Sequence, residues 1–586
     1  MRKTKILATI GPASGELETI KQMIAAGLDA ARINFSHGTY ESHGKIIKTV
    51  KQAREIMGKP IPLILDTKGP EIRTKTLNQP KIFLEQGQEF TLTTEDLEGD
   101  NTRVSVTYEN LPRDLSVGNR VLIDDGLIEM SVISKTATEV KCILINSGFL
   151  GHKKGINIPD VNVDLPSLSE KDVEDIKFGI TQEVDWIAAS FIRSANDIIN
   201  IKKVLEENGG SRIKIMAKIE SREGVNNIEG ILEVSDGIMV ARGDLGIEIP
   251  PEEVPIVQKD LINRCNLVGK TVVTATHMLE SMQQNPRPTR AEANDVANAI
   301  FDGTDVTMLS GETANGKYPV ESVAMMARIA LNAEQTINYR KMYAGIDTNL
   351  SKNPTNVISG AAVATADEMG AACIVAITDS GFAARMVSRA RPACPILALT
   401  SDPLVYRQSS LLWGCVPILS DKPIQGDSEV FDIAEDIALS SGVAKNGDII
   451  VAIAGVPIGV AGTTNTIRLR TVGNVLANGE GNKLGVVKGI TRVLDPSKDS
   501  GEMVFFEQGD IVVCTQTDDS MLEYIKKAGA LVIGSWEKLD YSHAETVAKA
   551  LDIPMLKLDV KPVDFVKPGL AVTVDTNKGL LLNGYK

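Results

Sequence analysis

Three charged residues stand where two apolar runs of the sequence end. Lys218 and Glu220 lie in KIES (218–221), and Asp244 follows the next run in VARGDLG (240–246). If the first run is a strand, Lys218 and Glu220 share one face, because alternate residues of a strand point the same way. Two carboxylates beside a lysine suit a Mg2+ ion that keeps several waters and takes its other ligands from a substrate. Either acid alone could be a solvated loop residue, but the three together predict a metal site.

Polar residues that could bind anions or a second cation follow other apolar runs. Arg32 has a guanidinium that can grip a phosphate with two hydrogen bonds. Gly243 and Asp244 precede a helical stretch, where backbone N–H groups attract an anion, although a lone GDxG is a weak signal. Other oxygens suit a hard monovalent cation better than a transition metal, although each alone could serve a cap or a turn. They belong to Asn34, Ser36, Asp66 and Thr67.

The elements that must position these residues alternate in type over roughly the first 330 residues. Eight apolar runs recur: TKILATIG, DAARINFSH, IPLILDTKG, DWIAASFIR, IKIMAKIES, DGIMVARGD, TVVTATHML and DVTMLSGET. Each is as apolar as a strand buried on both faces should be, and helical patterns lie between most of them. The alternation predicts an α/β fold with a TIM-type β/α barrel, whose site lies at the C-terminal ends of the strands. A doubly wound open sheet is the structural alternative.

The alternation breaks once, between Pro70 and Pro166. Alternating β-branched residues and turn signals predict an inserted β-barrel domain there, placed as a lid over the mouth of the barrel. Later segments predict a C-terminal α/β domain, a polar glycine-rich linker and an appended small α/β domain. The predicted ranges are 1–69 and 167–345 for the barrel, 70–166 for the lid, 346–472 for the α/β domain, 473–485 for the linker and 486–586 for the appended domain.

The composition argues against several classes of function. The 586 residues include 62 Lys and Arg against 76 Asp and Glu, a formal net charge of −14. That balance disfavours nucleic-acid binding, although a few clustered cations can still hold a small anionic substrate. No stretch approaches the ~20 apolar residues that span a membrane, and MRKTKILATIGPAS is no secretory signal. Six cysteines without a CxxC pair indicate reduced thiols in the cytoplasm.

Seven segments resemble the pyruvate kinase family, and they occur in that family's order. They are ARINFSHG (31–38), LDTKGPEIRT (65–74), KKGINIP (153–159), KIES (218–221), VARGDLGIEIP (240–250), NPRPTRAEANDVANAIFDGTD (285–305) and MLSGETANGKYP (308–319). The resemblance covers the chain from its start to about residue 472, and RPTRAEANDVANA is highly specific. It implies a cytoplasmic enzyme, usually a homotetramer, that transfers the phosphoryl group of phosphoenolpyruvate to ADP, giving ATP and pyruvate.

The resemblance also implies roles for the matching residues. The catalytic residues would be Lys218, Thr276 and Arg32, and the substrate would contact Arg32, Lys218, Gly243, Asp244 and Thr276. The nucleotide would contact Asn34, His37, Arg73 and Lys154. Glu220 and Asp244 would hold Mg2+ or Mn2+, and K+ would be held by Asn34, Ser36, Asp66 and Thr67. Ser310 and Glu312 would join Thr276 in a polar network that delivers a proton to the enolate.

Two places depart from the family pattern. His277 stands where the family usually has a glutamine, and either side chain can donate a hydrogen bond. A loop that binds a sugar-phosphate or nucleotide effector in the family matches this chain at Thr378, Ser380, Gly381, Thr463 and Thr464. Ala383 replaces a small hydroxyl residue that is usual in this loop, so we expect a monophosphate effector rather than a bisphosphate.

The C-terminal region resembles the extra domain of some bacterial pyruvate kinases, which is similar to the phosphohistidine domain of phosphoenolpyruvate-using synthases. Within YSHAE (541–545), we expect His543 to be a structural remnant, because Glu545 would repel a phosphate on it. Two alternative functions remain. Lys218 argues against a metal-dependent lyase or aldolase on a related barrel. The presence of both predicted metal-binding acids argues against a catalytically inactive sugar-phosphate sensor.

Overall fold

Two compact units make up the chain in the computed structural model. One unit comprises Met1–Gly360 and Thr378–Pro423, and the other comprises Ala361–Ile377 and Ile424–Lys586. The structure describes residues 1–339, 353–421, 429–456, 464–473, 475–494, 506–537 and 539–584. Among the described residues, no helix is both long and apolar enough to cross a membrane.

The first unit is built on a closed barrel of eight parallel strands, which confirms the predicted barrel over an open sheet. The strands are β1 (Lys5–Thr9), β2 (Ala30–Asn34), β3 (Leu63–Asp66), β4 (Trp186–Ala189), β5 (Lys214–Ile219), β6 (Gly237–Ala241), β7 (Thr271–Ala275) and β8 (Val306–Leu309). Alternate side chains fill the barrel or pack outward on the helices. Leu7, Trp186 and Met239 belong to the inner cluster, and Ile33 and Ile238 to the outer one. Burial on both faces explains why the strands are continuous apolar runs.

Among the described residues, eleven helices follow the barrel strands. They are α1 (Leu17–Ala26), α2 (Tyr40–Met57), α3 (Glu170–Thr181), α4 (Ala195–Glu207), α5 (Arg222–Asn226), α6 (Ile228–Val234), α7 (Arg242–Glu248), α8 (Val254–Val268), α9 (Arg290–Asp302), α10 (Gly311–Ala314) and α11 (Pro319–Glu334). Thr39, Ser169 and Thr289 cap α2, α3 and α9, each accepting a backbone N–H from the first turn. These caps fix the start of each helix, and therefore the loop that connects it to the mouth of the barrel.

The insertion between β3 and α3 is a β domain, as predicted. Its main sheet has the strand order Ile72–Arg73, Gly155–Asn157, Arg120–Ile123, Ile128–Lys135, Glu139–Leu144, Glu89–Thr93, Arg103–Ser105. An antiparallel bridge between Thr74 and Val106 joins the first strand to the last, so the sheet curls into a nearly closed barrel. The strand pair Lys81–Leu84 with Gly148–Gly151 and the helix Leu111–Asp114 complete the domain.

Residues 378–421 pack against the N-terminal end of the barrel. They contain the helices Phe382–Arg389 and Pro403–Gln408, the 3-10 turn Ser409–Leu411, and the parallel strands Ile396–Thr400 and Cys415–Leu419. Arg407 Nε donates to Asp185 Oδ1 at 2.7 Å, just before β4. Arg391 Nη1 lies 2.7 Å from Asp305 Oδ1, just before β8. Both acids precede strands, so these ion pairs lie at the end of the barrel opposite to the predicted site.

The second unit contains two β structures. Cys373–Ile377 pairs in parallel with Ile449–Gly455, which pairs antiparallel with Thr464–Thr471. Seven strands close a small barrel in the order Val475–Gly481, Met555–Leu558, Ala530–Gly534, Ile511–Cys514, Val486–Leu494, Ala571–Asp575, Leu580–Asn583. In the part of the chain that the structure describes, the remaining helices are Pro354–Glu368, Glu429–Ser440, Leu522–Ile525 and Ser542–Ala550. The remaining 3-10 turns there are Glu280–Gln283, Asp519–Met521 and Pro562–Asp564.

The prediction of a linker at 473–485 is wrong for most of that range. Val475–Gly481 is a strand that pairs with Met555–Leu558 on one side and with Leu580–Asn583 on the other. A polar, glycine-rich sequence is typical of a flexible linker. Such a sequence can still form a strand, because the hydrogen bonds between strands come from the backbone. Glycine also suits a strand where a neighbouring backbone approaches too closely for a side chain.

We expect Gly479→Ala to destabilise this small barrel by about 1–3 kcal/mol, as overpacked sites do. The added methyl group would lie 2.1 Å from Lys557 O and 2.7 Å from Leu558 Cδ2. Denaturant unfolding and hydrogen exchange across 475–481 would measure the loss. Asn478→Ala changes the exposed neighbour in the same strand and should leave both measurements unchanged. Equal stability of the two variants would argue for a flexible segment after all.

Candidate active site

The carboxylate of Asp66, at the end of β3, pairs with two cations inside the mouth of the barrel. Arg32, on β2, donates from Nε to Asp66 Oδ2 and from Nη1 to Thr9 Oγ1 at 2.8 Å. Lys218, on β5, places Nζ 3.3 Å from Asp66 Oδ1 and 2.9 Å from Glu220 Oε1. Asp66 and Glu220 are each only 1% exposed. The structure therefore brings together four of the predicted site residues in one buried charged cluster.

The sequence reasoning missed Ser190, which holds the lysine in place. Lys218 Nζ donates to Ser190 Oγ at 2.7 Å, and that hydroxyl donates to Thr67 O at 2.7 Å. The next residue, Phe191, donates its backbone N–H to Glu220 Oε2 at 2.6 Å. The available signal was that Ser190 is the polar residue directly after β4, the same position in the barrel as the residues that were singled out.

Mutual interactions shift the pKa of each buried member of the cluster. Burial would raise the pKa of Asp66, but Arg32 and Lys218 overcome it and lower that pKa. Burial would lower the pKa of Lys218, but Asp66 and Glu220 raise it. Burial raises the pKa of Glu220, with Lys218 opposing the shift and Asp244 adding to it. Asp66 and Lys218 are therefore held as ions, whereas Glu220 is an acid that lacks enough positive charge nearby.

This shortage of positive charge makes Glu220 and Asp244 a fitting pair for a divalent cation. The Asp244 carboxylate helps to raise the pKa of Glu220. Glu220 directly follows β5, and Asp244 lies in the first turn of α7, after the neighbouring strand β6. Among the described residues, no group of three or more His, Cys, Asp or Glu side chains could hold a metal ion alone. A two-carboxylate site matches Mg2+, which keeps waters and substrate oxygens in its shell, better than a metal enclosed by protein ligands.

The loop after β7 has an unusual backbone. Thr276 and His277 both have left-handed conformations, with φ of 65° and 52°. Such conformations cost non-glycine residues about 1–3 kcal/mol each and persist only where surrounding contacts enforce them. Gly243 donates its N–H to Thr276 Oγ1 at 2.8 Å, and that hydroxyl donates to Ala275 O at 2.6 Å. The predicted substrate-binding residues of α7 and of the loop after β7 are thus linked directly.

Glu312 is buried in α10 and binds backbone N–H groups rather than another side chain. Its carboxylate accepts from Leu279 N at 3.0 Å and from Ser310 N at 2.7 Å. Burial raises the pKa of Glu312. Glu312 therefore ties the loop after β8 to the loop that carries Thr276, which is the neighbourhood that a proton-delivering network would need.

A cavity of about 630 Å3 lies between the lid and the barrel mouth. Arg73 and Lys154 line it from the lid, and Asp244 lines it from the barrel. Arg73 Nη1 donates to Lys153 O at 2.8 Å, and Lys154 Nζ lies 2.9 Å from Asp124 Oδ1. A second cavity of about 640 Å3 is lined by His277, along with Thr276, Gly243 and Asp244. Both cavities therefore reach Asp244.

The residues proposed for K+ lie at the ends of β2 and β3. Asn34 is opposite Asp66 in the register of these strands, and Asn34 Oδ1 accepts from Ser36 N at 3.1 Å. Thr67 Oγ1 accepts from Ser190 N at 3.1 Å. His37 is exposed in the turn that follows β2.

The predicted effector residues fall in separate parts of the chain. In the first unit, Thr378 is buried, Ser380 is exposed, and Gly381 begins the helix Phe382–Arg389 with φ of 78°. In the second unit, Thr464 is buried at the start of its strand. Thr463 lies outside the described residues.

Comparisons with known proteins agree with this fold. The model "pyruvate kinase, barrel domain" matches residues 1–323, and "pyruvate kinase, alpha/beta domain" matches residues 356–470. "PEP-utilising enzyme, mobile domain" matches residues 506–579. Curated pyruvate kinases from Sporosarcina psychrophila, Bacillus licheniformis and Staphylococcus aureus strain MRSA252 are each 45% identical to this chain. In each comparison, 100% of this chain and 99% of the relative are covered.

A β/α barrel with a lysine, an arginine and two carboxylates at its mouth, matched by these models, defines a phosphotransferase. The chain belongs to the pyruvate kinase family. The match to a mobile domain of PEP-utilising enzymes also confirms the predicted origin of the C-terminal region.

Asp66→Asn should destabilise the protein by about 3–5 kcal/mol at neutral pH, because Arg32 and Lys218 would lose their shared buried partner. The folded state lowers the pKa of Asp66, so its contribution is complete above the ordinary aspartate value of about 4 and is lost as the pH falls through the folded value. Urea unfolding of both proteins should therefore give a constant difference from about pH 8 to about pH 5, and a shrinking one below about pH 4.

Asp260→Asn provides the matched control for this measurement. Asp260 pairs with Arg264 on the exposed face of α8, at 2.7 Å. Removing such a surface pair should cost less than about 1 kcal/mol. A difference between wild type and Asp66→Asn that grew toward acid pH would contradict the ionised state of Asp66.

Proposed function

We propose that this protein transfers the phosphoryl group of phosphoenolpyruvate to ADP, giving ATP and pyruvate. The observation that carries the proposal is Lys218, held as a cation between Asp66 and Glu220 at the mouth of the barrel. Phosphoryl transfer needs positioned positive charge more than covalent participation by the protein. A lysine that three buried neighbours orient can stabilise both the transferring group and the enolate that it leaves behind.

The substrate would be held at both of its charged ends. Arg32 uses Nε and Nη1 to reach Asp66 and Thr9, and we propose that Nη2 faces the phosphate. The carboxylate would meet the first turn of α7 at Gly243 and Asp244, where backbone N–H groups have no partner within the helix. The hydroxyl of Thr276 lies beside these groups, because Gly243 N donates to it.

Two kinds of cation would complete the site. Glu220 and Asp244 would hold Mg2+, or Mn2+ in its place, and a bound divalent ion would neutralise charge on the phosphoryl oxygens. K+ would be held by Asn34, Ser36, Asp66 and Thr67. The hard-oxygen character of these residues supports this assignment.

ADP would bind between the lid and the barrel mouth. Arg73 and Lys154 line that cavity, and with His37 and Asn34 they would contact the nucleotide. Closure of the lid would keep out water, which could otherwise accept the phosphoryl group. The enolate would then take up a proton through the network of Thr276, Ser310 and Glu312, which the bonds of Glu312 to the two loops support.

Two other functions fit the sequence less well. A lyase or aldolase would use a Glu/Asp metal pair and an enolate, but it has no need of a lid lined by two cations. A sugar-phosphate sensor without catalysis has no need of the buried Lys218–Glu220 pair, which costs desolvation. Pyruvate formation from phosphoenolpyruvate and ADP, measured with and without K+ and sugar phosphates, separates the three.

Further properties follow from the family. We propose cytoplasmic localisation, a homotetramer and regulation by a sugar phosphate or a nucleotide. Thr378, Ser380, Gly381, Thr463 and Thr464 would contact this effector, with a monophosphate preferred because Ala383 offers no hydroxyl group.

His543 would be a structural residue in the C-terminal domain. Its Nδ1 lies 2.9 Å from Thr517 Oγ1 and its Nε2 lies 3.3 Å from Asp519 Oδ1, so both ring nitrogens have partners. A phosphoryl group on either nitrogen would break one of these contacts, and one on Nε2 would approach the Asp519 carboxylate. Direct attack by ADP also makes a phosphohistidine unnecessary.

Lys218→Met should lower turnover about 100–1000-fold, the usual cost of removing one preorganised charge from a protected site. Phosphoenolpyruvate should still bind, and this is measurable by calorimetry. Lys214→Met is the matched control, because Lys214 begins the same strand at the opposite end of the barrel. The control should change stability rather than turnover. Near-normal turnover in Lys218→Met would refute the assignment.

Glu71 should make activity depend on K+. In this family, Glu at this position accompanies K+ dependence and Lys accompanies independence. The Glu71 carboxylate lies 3.6 Å from Lys68 Nζ and is bonded to Arg73, at the start of the lid. We expect faster turnover in K+ than in tetrapropylammonium at equal ionic strength, and a smaller difference in Glu71→Lys. Equal wild-type rates in the two salts would contradict the K+ site.

A further inference from the structure

The side chain of Arg242 contacts the loop after β7 at several atoms, although the proposed reaction assigns Arg242 no role. It is the first residue of α7, and its side chain is 10% exposed. Its Nε donates to Ala275 O at 3.2 Å, and its Nη2 donates to Thr276 O at 2.6 Å. Nη2 also lies 2.8 Å from Met278 Sδ. One guanidinium therefore contacts three of the four residues from Ala275 to Met278.

The backbone that Arg242 contacts is the part that needs support. Thr276 is β-branched, and it and His277 both lie in the left-handed region, so the turn has no intrinsic preference for this shape. The strand β7 ends at this point, so its regular pairing with neighbouring strands ends too. The carbonyl groups of Ala275 and Thr276 accept hydrogen bonds from Arg242. A planar guanidinium can hold two carbonyls at a fixed angle, which an ammonium group cannot do.

Arg242 is itself anchored from two other helices. Its Nη1 donates to Asp295 Oδ1 at 2.8 Å, on α9, and to Gln258 Oε1 at 3.3 Å, on α8. The ion pair with Asp295 fixes the plane of the guanidinium. Asp295 lies within RPTRAEANDVANA, so this contact also gives a physical reason for an acid at that place in the motif.

We propose that Arg242, oriented by Asp295, is a positioning residue that holds the Thr276 hydroxyl where the substrate carboxylate and the proton network need it. Two hydrogen bonds hold this hydroxyl, because Gly243 N donates to it and it donates to Ala275 O. Movement of the loop would therefore move the catalytic oxygen itself. This inference rests on the proposed function and adds residues that the substrate does not touch.

The test uses the full-length protein and two readouts. The first is pyruvate formation, with KM measured separately for phosphoenolpyruvate and ADP. The second is exchange of the pyruvate methyl hydrogens in D2O, followed by NMR. An enzyme that protonates the enolate carbon must also remove a methyl proton from pyruvate in reverse. The C–H bond breaks, the proton passes to solvent and a deuteron returns, so no other reactant is consumed.

Arg242→Lys should slow both turnover and methyl exchange by about 10–100-fold, since displacement of a catalytic group by about 1 Å can cost 100-fold. KM for phosphoenolpyruvate should rise, and KM for ADP should stay within about twofold because Arg73 and Lys154 are untouched. Asp295→Asn should give a smaller loss of the same kind. The double variant should be no worse than Arg242→Lys, because Asp295 acts through Arg242.

Arg391→Lys is the matched control. Arg391 is also buried and paired with an aspartate, and its Nη2 also donates to a backbone carbonyl, Gly303 O at 2.9 Å, but at the other end of the barrel. It should lower the thermal midpoint without changing either readout.

Turnover and exchange within twofold of wild type in folded Arg242→Lys would overturn the inference, as would additive losses in the double variant. If Arg242→Lys does not fold, Asp295→Asn alone decides in the same way. A wild-type protein that forms no pyruvate would overturn the proposed function instead, and the two failures are thus distinct.

Discussion

The active site depends on one buried carboxylate. Asp66 is almost fully enclosed at the end of β3, and its two oxygens are shared between Arg32 and Lys218. Without Asp66, Arg32 and Lys218 would lose the counter-charge that they share, and removing one partner of a buried ion pair costs several kcal/mol. Asp66 therefore keeps two positive charges at the mouth of the barrel, where an anionic substrate would supply the remaining counter-charge. Folding of the barrel therefore offsets the desolvation free energy of these charged groups before any ligand binds.

The closed barrel explains why this pairing forms. Parallel strands end at one edge, so residues that are far apart in the sequence meet without any long-range signal other than the strand pattern. Arg32 lies on β2, Asp66 on β3 and Lys218 on β5, and Ser190 after β4 fills the position between the last two. The pleat then places Glu220 on the same side as Lys218, with a carboxylate ready for a cation.

Left-handed backbone at non-glycine residues occurs in the lid, at Asp124, Asp125, Lys153 and Asp160, and also in the loop that carries Thr276. Arg242 and Glu312 act on this loop from opposite sides, one through its carbonyl groups and the other through the N–H of Leu279. Hydrogen bonds also join the lid to the barrel. Asn157 Nδ2 donates to Glu248 Oε1 at 2.8 Å, and Arg193 donates to Val163 O at 2.7 Å and to Leu165 O at 2.6 Å. A separate lid domain over the mouth of the barrel suits an enzyme that must admit a nucleotide and then exclude water.

The sequence by itself determined the class of fold, the inserted lid and most of the charged residues at the mouth. Apolar runs and the polar residues at their ends are local patterns. They can be recognised in the sequence without knowing how the strands pair. The sequence could not show which atoms of Asp66, Ser190 and Lys218 meet, because that depends on the closure of the barrel. It also misplaced Val475–Gly481, since backbone hydrogen bonds to distant strands outweighed a composition that is typical of linkers. Only the tertiary structure showed that Arg242 supports a left-handed turn. The reason is that Arg242, the loop after β7 and Asp295 on α9 are far apart in the sequence and meet only in the folded barrel.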